Sequence, residues 1–339
     1  MAEASVRSTF LDMVFGYMPA QIIQVAAKLR IADLLAGGAR TSGELAGEVG
    51  AHGPSLYRLL RALAALGAVT EVEHDRFELT ADGARLREDA PDSIRGLVML
   101  FCGDEVWASW GDLVHSVRTG EPAWDKVTGM SPFEFLATRP EQSATFNAAM
   151  AEHTRDVAPQ LVEAYDFARF GTLADLGGGD GTLIASILAA VPAMRGVLFD
   201  LPAGAEGADA TLKAAGVADR CRVVPGDFFA SVPSGQDAYL LKSVIHDWDD
   251  ERAAAILKRC REAVSRDGTL LVVEPVLPPV AGAESRGTVM SDINMLVATG
   301  GRERTEAEFR ALLTASGFAV TSIGDPIPSG YRVIEAAPA

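Results

Sequence analysis

The chain has 339 residues, room for two domains and a sizeable core. Its 30 Lys and Arg against 46 Asp and Glu leave a net charge of −16, which disfavours nucleic acid and anionic membranes as partners. With 48% hydrophobic and 22% charged residues it is not a disordered chain, and Cys102, Cys221 and Cys260 are too few and too scattered for a disulfide framework or a zinc clip.

A reducing cytoplasm fits those cysteines. Glu3 and Arg7 stand near the start without the apolar run of a signal peptide, and no uncharged apolar stretch of about 18 residues occurs, so neither secretion nor membrane insertion is expected. Apolar side chains at helical spacing over 6–35 (Phe10, Val14, Met18, Ile22, Val25, Leu29) predict a helix, and Phe15, Tyr17 and Ile23 widen its apolar face. Such a helix needs more than one packing partner. Either it is a core helix, or a second copy of the chain supplies the partner in a homodimer with interlocked N-terminal helices.

Over 41–90 two short helices and a hairpin are expected. Thr41 or Ser42 caps the first, with Glu44 in its first turn; Pro54 and Ser55 open the second, and Gly67 ends it. Leu59, Leu60, Leu63 and Leu66 are its expected core face. Strands 68–72 and 76–80 flank the turn 73–75. Helix, turn, helix and wing resemble a winged helix, often a DNA reader; the second helix offers only Arg58 and Arg61, so a dimerisation scaffold fits better. Residues 91–165 are helical and rich in aromatics. From about 166, apolar strands at 173–176, 196–200, 221–224, 238–245 and 269–274 alternate with helices, the signature of a parallel sheet covered on both faces, and 275–285 is a loop.

The first of these strands runs into 175-DLGGGDG-181, followed by a helix at 182–191. Gly177, Gly178, Gly179 and Gly181 allow a sharp turn that brings a ligand against bare backbone at a helix N-terminus, where open α/β sheets bind ligands; the alternative is a tight structural turn. Asp200 closes the second strand, where a carboxylate can hold two ribose hydroxyls. In 226-GDFF-229, Asp227 either accepts from an adenine amino group, with Phe228 over the base, or caps a helix.

The blocks 175-DLGGGDG-181, 199-FDLP-202, 225-PGDFF-229, 241-LKSVIHDWDDE-251, 272-VVEP-275 and 300-GGRERT-305 resemble the S-adenosylmethionine-dependent O-methyltransferases of the plant caffeate and isoflavone type, whose bacterial relatives modify aromatic natural products. The likeness spans nearly the whole chain. It implies an α/β class I methyltransferase fold, Rossmann-like with a mostly parallel seven-stranded sheet, behind an N-terminal all-helical winged-helix dimerisation domain. The implied division is 1–105 for that domain, 106–165 for a helical connector contributing to the acceptor pocket, and 166–339 for the S-adenosylmethionine-binding domain. It further implies a homodimer, no metal, S-adenosyl-L-homocysteine as product, and a histidine base. Cofactor contacts fall on Gly177, Gly179, Asp200, Gly226, Asp227, Phe228 and Lys242, with Ser243 where many relatives carry Asn or Trp, and Arg155 placed to meet the cofactor carboxylate.

Methyl transfer from a sulfonium needs an acceptor lone pair, and a phenol of pKa about 10 is scarcely ionised at neutral pH. His246, just past the strand 238–245, is where a base would face the sulfonium; a lone histidine is more often structural, and it is the resemblance that makes this one the base. Glu274 and Glu303 are the candidates to orient its other nitrogen, Glu274 first; Asp247 should point to the opposite face. Phe146, Met150 and His153 share one helix face, either core or acceptor wall. The resemblance adds Met295 as a clamp on an aromatic acceptor, and Asp292 is either structural or acceptor-facing. The expected activity is O-methylation of an aromatic small molecule. N- or C-methylation, a drifted decarboxylase or hydroxylase, and a ligand-responsive winged-helix regulator are the alternatives.

Overall fold

The computed structural model describes residues 9–339; Glu3, Arg7 and the first residues of the helix expected over 6–35 lie outside them. The chain divides between Trp107 and Ala108 into two compact units. No helix among the described residues is long and apolar enough to cross a membrane.

The first unit begins with α1 (Thr9–Val14), α2 (Tyr17–Lys28) and α3 (Ile31–Leu35), three helices where one was expected. The chain breaks at Gly16 and again at Arg30, which adopts a left-handed φ of 55° that no continuous helix accommodates. After β1 (Arg40–Thr41) come α4 (Ser42–Val49) and α5 (Gly53–Ala65), then β2 (Val69–Glu73), β3 (Arg76–Leu79), α6 (Ala81–Ala84) and α7 (Arg95–Phe101). Thr41 caps α4 in a reciprocal box with Glu44. Leu45, Leu56, Leu60, Leu63 and Phe77 form the core of this unit, but Leu66 is 46% exposed because α5 ends one residue before it. The unit is not all-helical: β1, β3 and β2 pair antiparallel, in that order, into a small sheet.

The helix α8 (Asp104–Gly111) straddles the division. The second unit continues with α9 (Leu113–Thr119), α10 (Ala123–Thr128), α11 (Pro132–Ala137) and the long α12 (Pro140–Ala164). The sheet elements follow: β4 (Thr172–Leu176), α13 (Thr182–Ala190), β5 (Arg195–Asp200), α14 (Ala208–Ala214), β6 (Cys221–Pro225), β7 (Ala238–Lys242), α15 (Asp250–Ala263) and β8 (Thr269–Leu277). Then come α16 (Arg286–Ala298), β9 (Arg304–Thr305), α17 (Glu306–Ala315), β10 (Phe318–Ile323) and β11 (Tyr331–Pro338).

The sheet order is β10-β11-β8-β7-β4-β5-β6, with the short β9 beside β8. Strands β6 to β8 are parallel through β5, β4 and β7, while β11 and β10 join antiparallel. Alternate side chains serve opposite cores: Leu240, Leu271 and Val273 lie in one, Tyr239, Leu241 and Val272 in the other, as a sheet covered on both faces requires. The chain reverses its direction of strand addition at β4, so a crevice opens at the carboxyl ends of β4, β5 and β7.

Two boundaries differ from expectation, and both shape that crevice. The strand expected over 238–245 stops at Lys242, because Ser243 takes a left-handed φ of 55° and a 3-10 turn follows at Ile245–Asp247. Conversely β8 runs on to Leu277, so Glu274 lies inside a strand and the expected loop starts later. The antiparallel strands β10 and β11 have no counterpart among the five strands read from the sequence.

Candidate active site

The glycine turn is built as its composition demands. Gly177, Gly179 and Gly181 all take positive φ (72°, 58° and 82°), and the Gly177 amide donates to the Phe199 carbonyl at 2.7 Å, tying the turn to β5. A methyl group on Gly179 would meet nothing within 4 Å, so bare backbone faces open space there. One on Gly177 would lie 2.9 Å from Val244 and 3.6 Å from Phe228, which brings the third loop of the expected cofactor site beside the first.

Asp200 at the end of β5 accepts from the amides of Gly179 (2.8 Å) and Leu201 (2.6 Å), one on each carboxylate oxygen. Burial nonetheless pushes its carboxyl above the usual range. Gly226 is required by packing, since a Cβ there would come within 2.4 Å of the Phe199 ring. Asp227 is exposed, and one oxygen accepts from the Phe229 amide at 2.8 Å; it opens a turn, since no helix follows for it to cap. Phe228 packs edge-on against Phe229. Asp175 was given no role; it is buried under the turn with Oδ2 unpartnered, and burial pushes it up to about 7.

Lys242 closes β7 and turns toward α12, 3.2 Å from the Thr154 hydroxyl and 3.5 Å from Nδ1 of His153. Burial pulls the lysine down to about 8 and, with the adjacent lysine charge, His153 down to about 4. His153 is therefore neutral at physiological pH. Arg155, the next residue but one, lies exposed and does not join this cluster. Ser243 turns its hydroxyl to the Tyr331 phenol on β11, 2.8 Å away.

His246 sits in the 3-10 turn and is 8% exposed. Its Nδ1 lies 2.9 Å from Glu303 Oε1 and 3.3 Å from Glu274 Oε2, both carboxylates being fully buried. The order anticipated for the two acids is reversed. Glu274 spends its Oε1 on the amides of Val244, Ile245 and His246, so it holds the turn, while Glu303 makes the close bond to the ring. Glu303 is itself held by the Ser291 hydroxyl at 2.7 Å and, through its amide, by Asp292 at 2.9 Å; Asp292 thus has a structural task. Asp247 does not point away from the ring: one oxygen lies 3.9 Å from Nε2. Burial works against the imidazolium, but Glu274, the Glu303 hydrogen bond and Asp247 outweigh it and hold the ring above its usual range.

Ligand atoms of His246, Glu274 and Glu303 fall within 4.8 Å of one another, close enough for a metal to share, although the Nδ1–Glu303 separation is that of a hydrogen bond. Around the turn, Trp248 stacks on Phe133 and meets Phe229 edge-on, with Arg252 over its face. Phe146 and Met150 on α12 are half-buried, and Met295 on α16 is buried.

A doubly covered, mostly parallel sheet with a glycine turn after β4 and an acid closing β5 is an open α/β fold that binds its ligand at the strand ends, and its relatives make it a class I methyltransferase. Residues 110–319 match the model of the O-methyltransferase domain, and residues 11–87 that of the O-methyltransferase dimerisation domain. The chain belongs to this O-methyltransferase family. It is 45% identical to the phenazine O-methyltransferase of Lysobacter antibioticus, over 98% of this chain and 96% of that one. It is also 40% identical to the 8-amino-8-demethylriboflavin N,N-dimethyltransferase of Streptomyces davaonensis, over 93% and 90%. The crystal structure of LaPhzM superposes with a TM-score of 0.93 at 44% identity, covering 97% of this chain and 98% of that one. That of the neocarzinostatin-pathway O-methyltransferase NcsB1, in complex with S-adenosylmethionine and 2-hydroxy-5-methyl naphthoic acid, gives 0.79 at 36%, covering 95% and 96%.

Proposed function

We propose that this enzyme transfers the methyl group of S-adenosylmethionine to a hydroxyl of an aromatic small molecule, with His246 as general base. The observation that carries the reading is the Nδ1–Glu303 bond, which commits one ring nitrogen and leaves Nε2 to meet an acceptor. Aromatic acceptors in the names of the phenazine and naphthoate relatives support the substrate class.

The cofactor fits the residues present. Gly179 offers open backbone, Asp200 stands beside it, and Phe228 reaches the same turn. When bound, S-adenosylmethionine supplies a methyl group on a positively charged sulfur. Gly177, Gly179, Asp200, Asp227 and Phe228 are assigned to the nucleoside, and Lys242, with Ser243 beside it, to the methionine end or the adenine edge. In the free chain the carboxylates favour the protonated ring, whereas a base must be neutral, so the ring has to release that proton to solvent before it can act; the positive charge that S-adenosylmethionine would bring when bound opposes the imidazolium. Glu303 and Glu274 then support the imidazolium formed as the acceptor loses its proton, a contribution of about 10²–10⁴-fold. The helices of 106–165, with Phe146, Met150 and His153, and Met295 on α16 line the acceptor side.

Homodimerisation through the N-terminal helices is supported by their exposed apolar side chains. Phe10 is 80% and Val14 63% exposed, with Phe15 and Tyr17 about half exposed, and all of these but Phe10 fall within residues 11–87, which match a dimerisation domain. Free cysteines fit a cytoplasmic enzyme. The test is His246→Gln. Calorimetry should find S-adenosylmethionine affinity within about threefold of wild type, while turnover of a phenolic acceptor falls by about 10²–10⁴; wild-type turnover removes the base. The N,N-dimethyltransferase relative supports a second reading, an amine acceptor. A neutral amine brings its own lone pair, so turnover in His246→Gln would then fall less than about tenfold.

A further inference from the structure

We propose that Arg304 is a positioning residue for His246: it grips the two peptide carbonyls that bracket the base, and so keeps the ring in register with Glu303. The inference rests on the reading of His246 as the base.

Arg304 is 0% exposed, and a guanidinium in that state must have its five N–H groups answered. They are. Nε and Nη2 donate to Asp250 Oδ1 at 2.9 and 2.8 Å, Nη2 also to the Trp248 carbonyl at 2.9 Å, and Nη1 to the carbonyls of Ile245 at 3.0 Å and Arg302 at 3.3 Å. Every partner lies within four residues of His246 or in the segment that carries Glu303. A guanidinium serving the fold at large would have no reason to confine itself so.

The turn bearing His246 closes only two bonds of its own, from the amides of Asp247 and Trp248 to the carbonyls of Val244 and Ile245, each at 3.3 Å. Its amides at 244, 245 and 246 all go to Glu274 Oε1. On the opposite side, the Ile245 and Trp248 carbonyls go to Arg304 and the His246 carbonyl to the Arg302 amide at 2.8 Å. Gly301 lets the two segments close, since a Cβ there would sit 2.0 Å from the His246 carbonyl oxygen. Glu303 lies between Arg302 and Arg304 in the same clamp, so slack at Arg304 reaches the ring both through the turn and through the carboxylate. A lysine offers three donors from one point and cannot bridge Ile245, Trp248 and Asp250 together.

Titration of the ring is a fitting readout. Glu274 on β8, Glu303 ahead of β9 and Asp247 beside it act on the ring directly, and His153 on α12 feels its charge; Lys242 at the end of β7 and Tyr331 on β11 share the fields of Glu274 and Asp247 with it. The experiment follows the imidazole nitrogens by 15N NMR in the full chain saturated with S-adenosylhomocysteine, with His246→Gln identifying the His246 signals among five histidines. In Arg304→Lys the S-adenosylhomocysteine affinity should stay within about threefold of wild type. The His246 midpoint should drop by about half a unit or more, and at pH above that midpoint, where the ring is neutral, its nitrogen shifts should move toward an average of two tautomers. Wild-type midpoint and shifts in that variant overturn the proposal. Should Arg304→Lys fail to fold, Asp250→Asn loosens the same guanidinium from its exposed end. It should move the midpoint the same way by a smaller amount, and unchanged signals there also overturn it. None of this requires methyl transfer, so wild-type turnover in His246→Gln, which removes the base, is a separate result.

Discussion

Glu303 places Oε1 2.9 Å from Nδ1 of His246, while the equally buried Glu274 comes only to 3.3 Å with the oxygen it does not use on the turn. The two carboxylates are therefore not interchangeable. Glu303→Gln offers Nδ1 an amide that can present either its oxygen or its NH2, so the tautomer is no longer fixed; turnover should fall by about 10²-fold or more with little loss of stability. Glu274→Gln instead weakens three bonds to backbone amides and should cost about 1–3 kcal/mol in denaturant unfolding. Equal stability losses in the two variants would contradict this division of labour.

The glycines of the cofactor turn separate backbone strain from ligand contact. Gly179→Ala meets no atom within 4 Å, so its cost to the free chain is the left-handed φ alone, about 1–2 kcal/mol. Gly177→Ala adds a 2.9 Å clash with Val244 and should destabilise more. S-adenosylhomocysteine titrations should show Gly179→Ala binding about tenfold or more weakly, a loss beyond what unfolding explains. Unchanged affinity would place the ligand elsewhere.

The sheet, the glycine turn and the acids ending its strands were legible because each follows from local pattern: apolar runs, glycines where φ must be positive, a carboxylate at a fixed distance along the chain. The clamp around His246 was not. Arg304 and Ser291 acquire their roles only when β9 and α16 are laid against the 3-10 turn, and Tyr331 comes from an antiparallel strand with no local signature. An extended 238–245 would turn Asp247 away from the ring, but Ser243 ends the strand and rotates the next residues. The N-terminal helix was drawn too long because Gly16 and Arg30 interrupt it without disturbing the apolar period.

His153 should make the enzyme acid-sensitive in a defined window. Its folded pKa, about 4, lies below the ordinary 6.5, depressed by burial and by Lys242. The unfolded chain binds that proton first, so stability present above about 6.5 is lost as pH falls toward 4. In denaturant titrations the gap between wild type and His153→Gln should be constant above pH about 7 and should move in favour of the variant through that window. A gap that does not change with pH would mean that His153 titrates normally.

The exposed apolar side chains of α1 and α2 make the oligomer testable without an acceptor. Phe10→Glu with Val14→Glu puts two charges on a face where the wild-type residues are 80% and 63% exposed in the single chain, so the folded monomer loses little. A dimer that buries those side chains must instead bury two carboxylates without partners from each chain, at several kcal/mol. Light scattering on a sizing column should give a dimer for wild type and a monomer for the double variant at micromolar concentration. The variant should keep the circular dichroism of the wild type. A wild-type monomer, or a double variant that still runs as a dimer, would remove these helices from the interface.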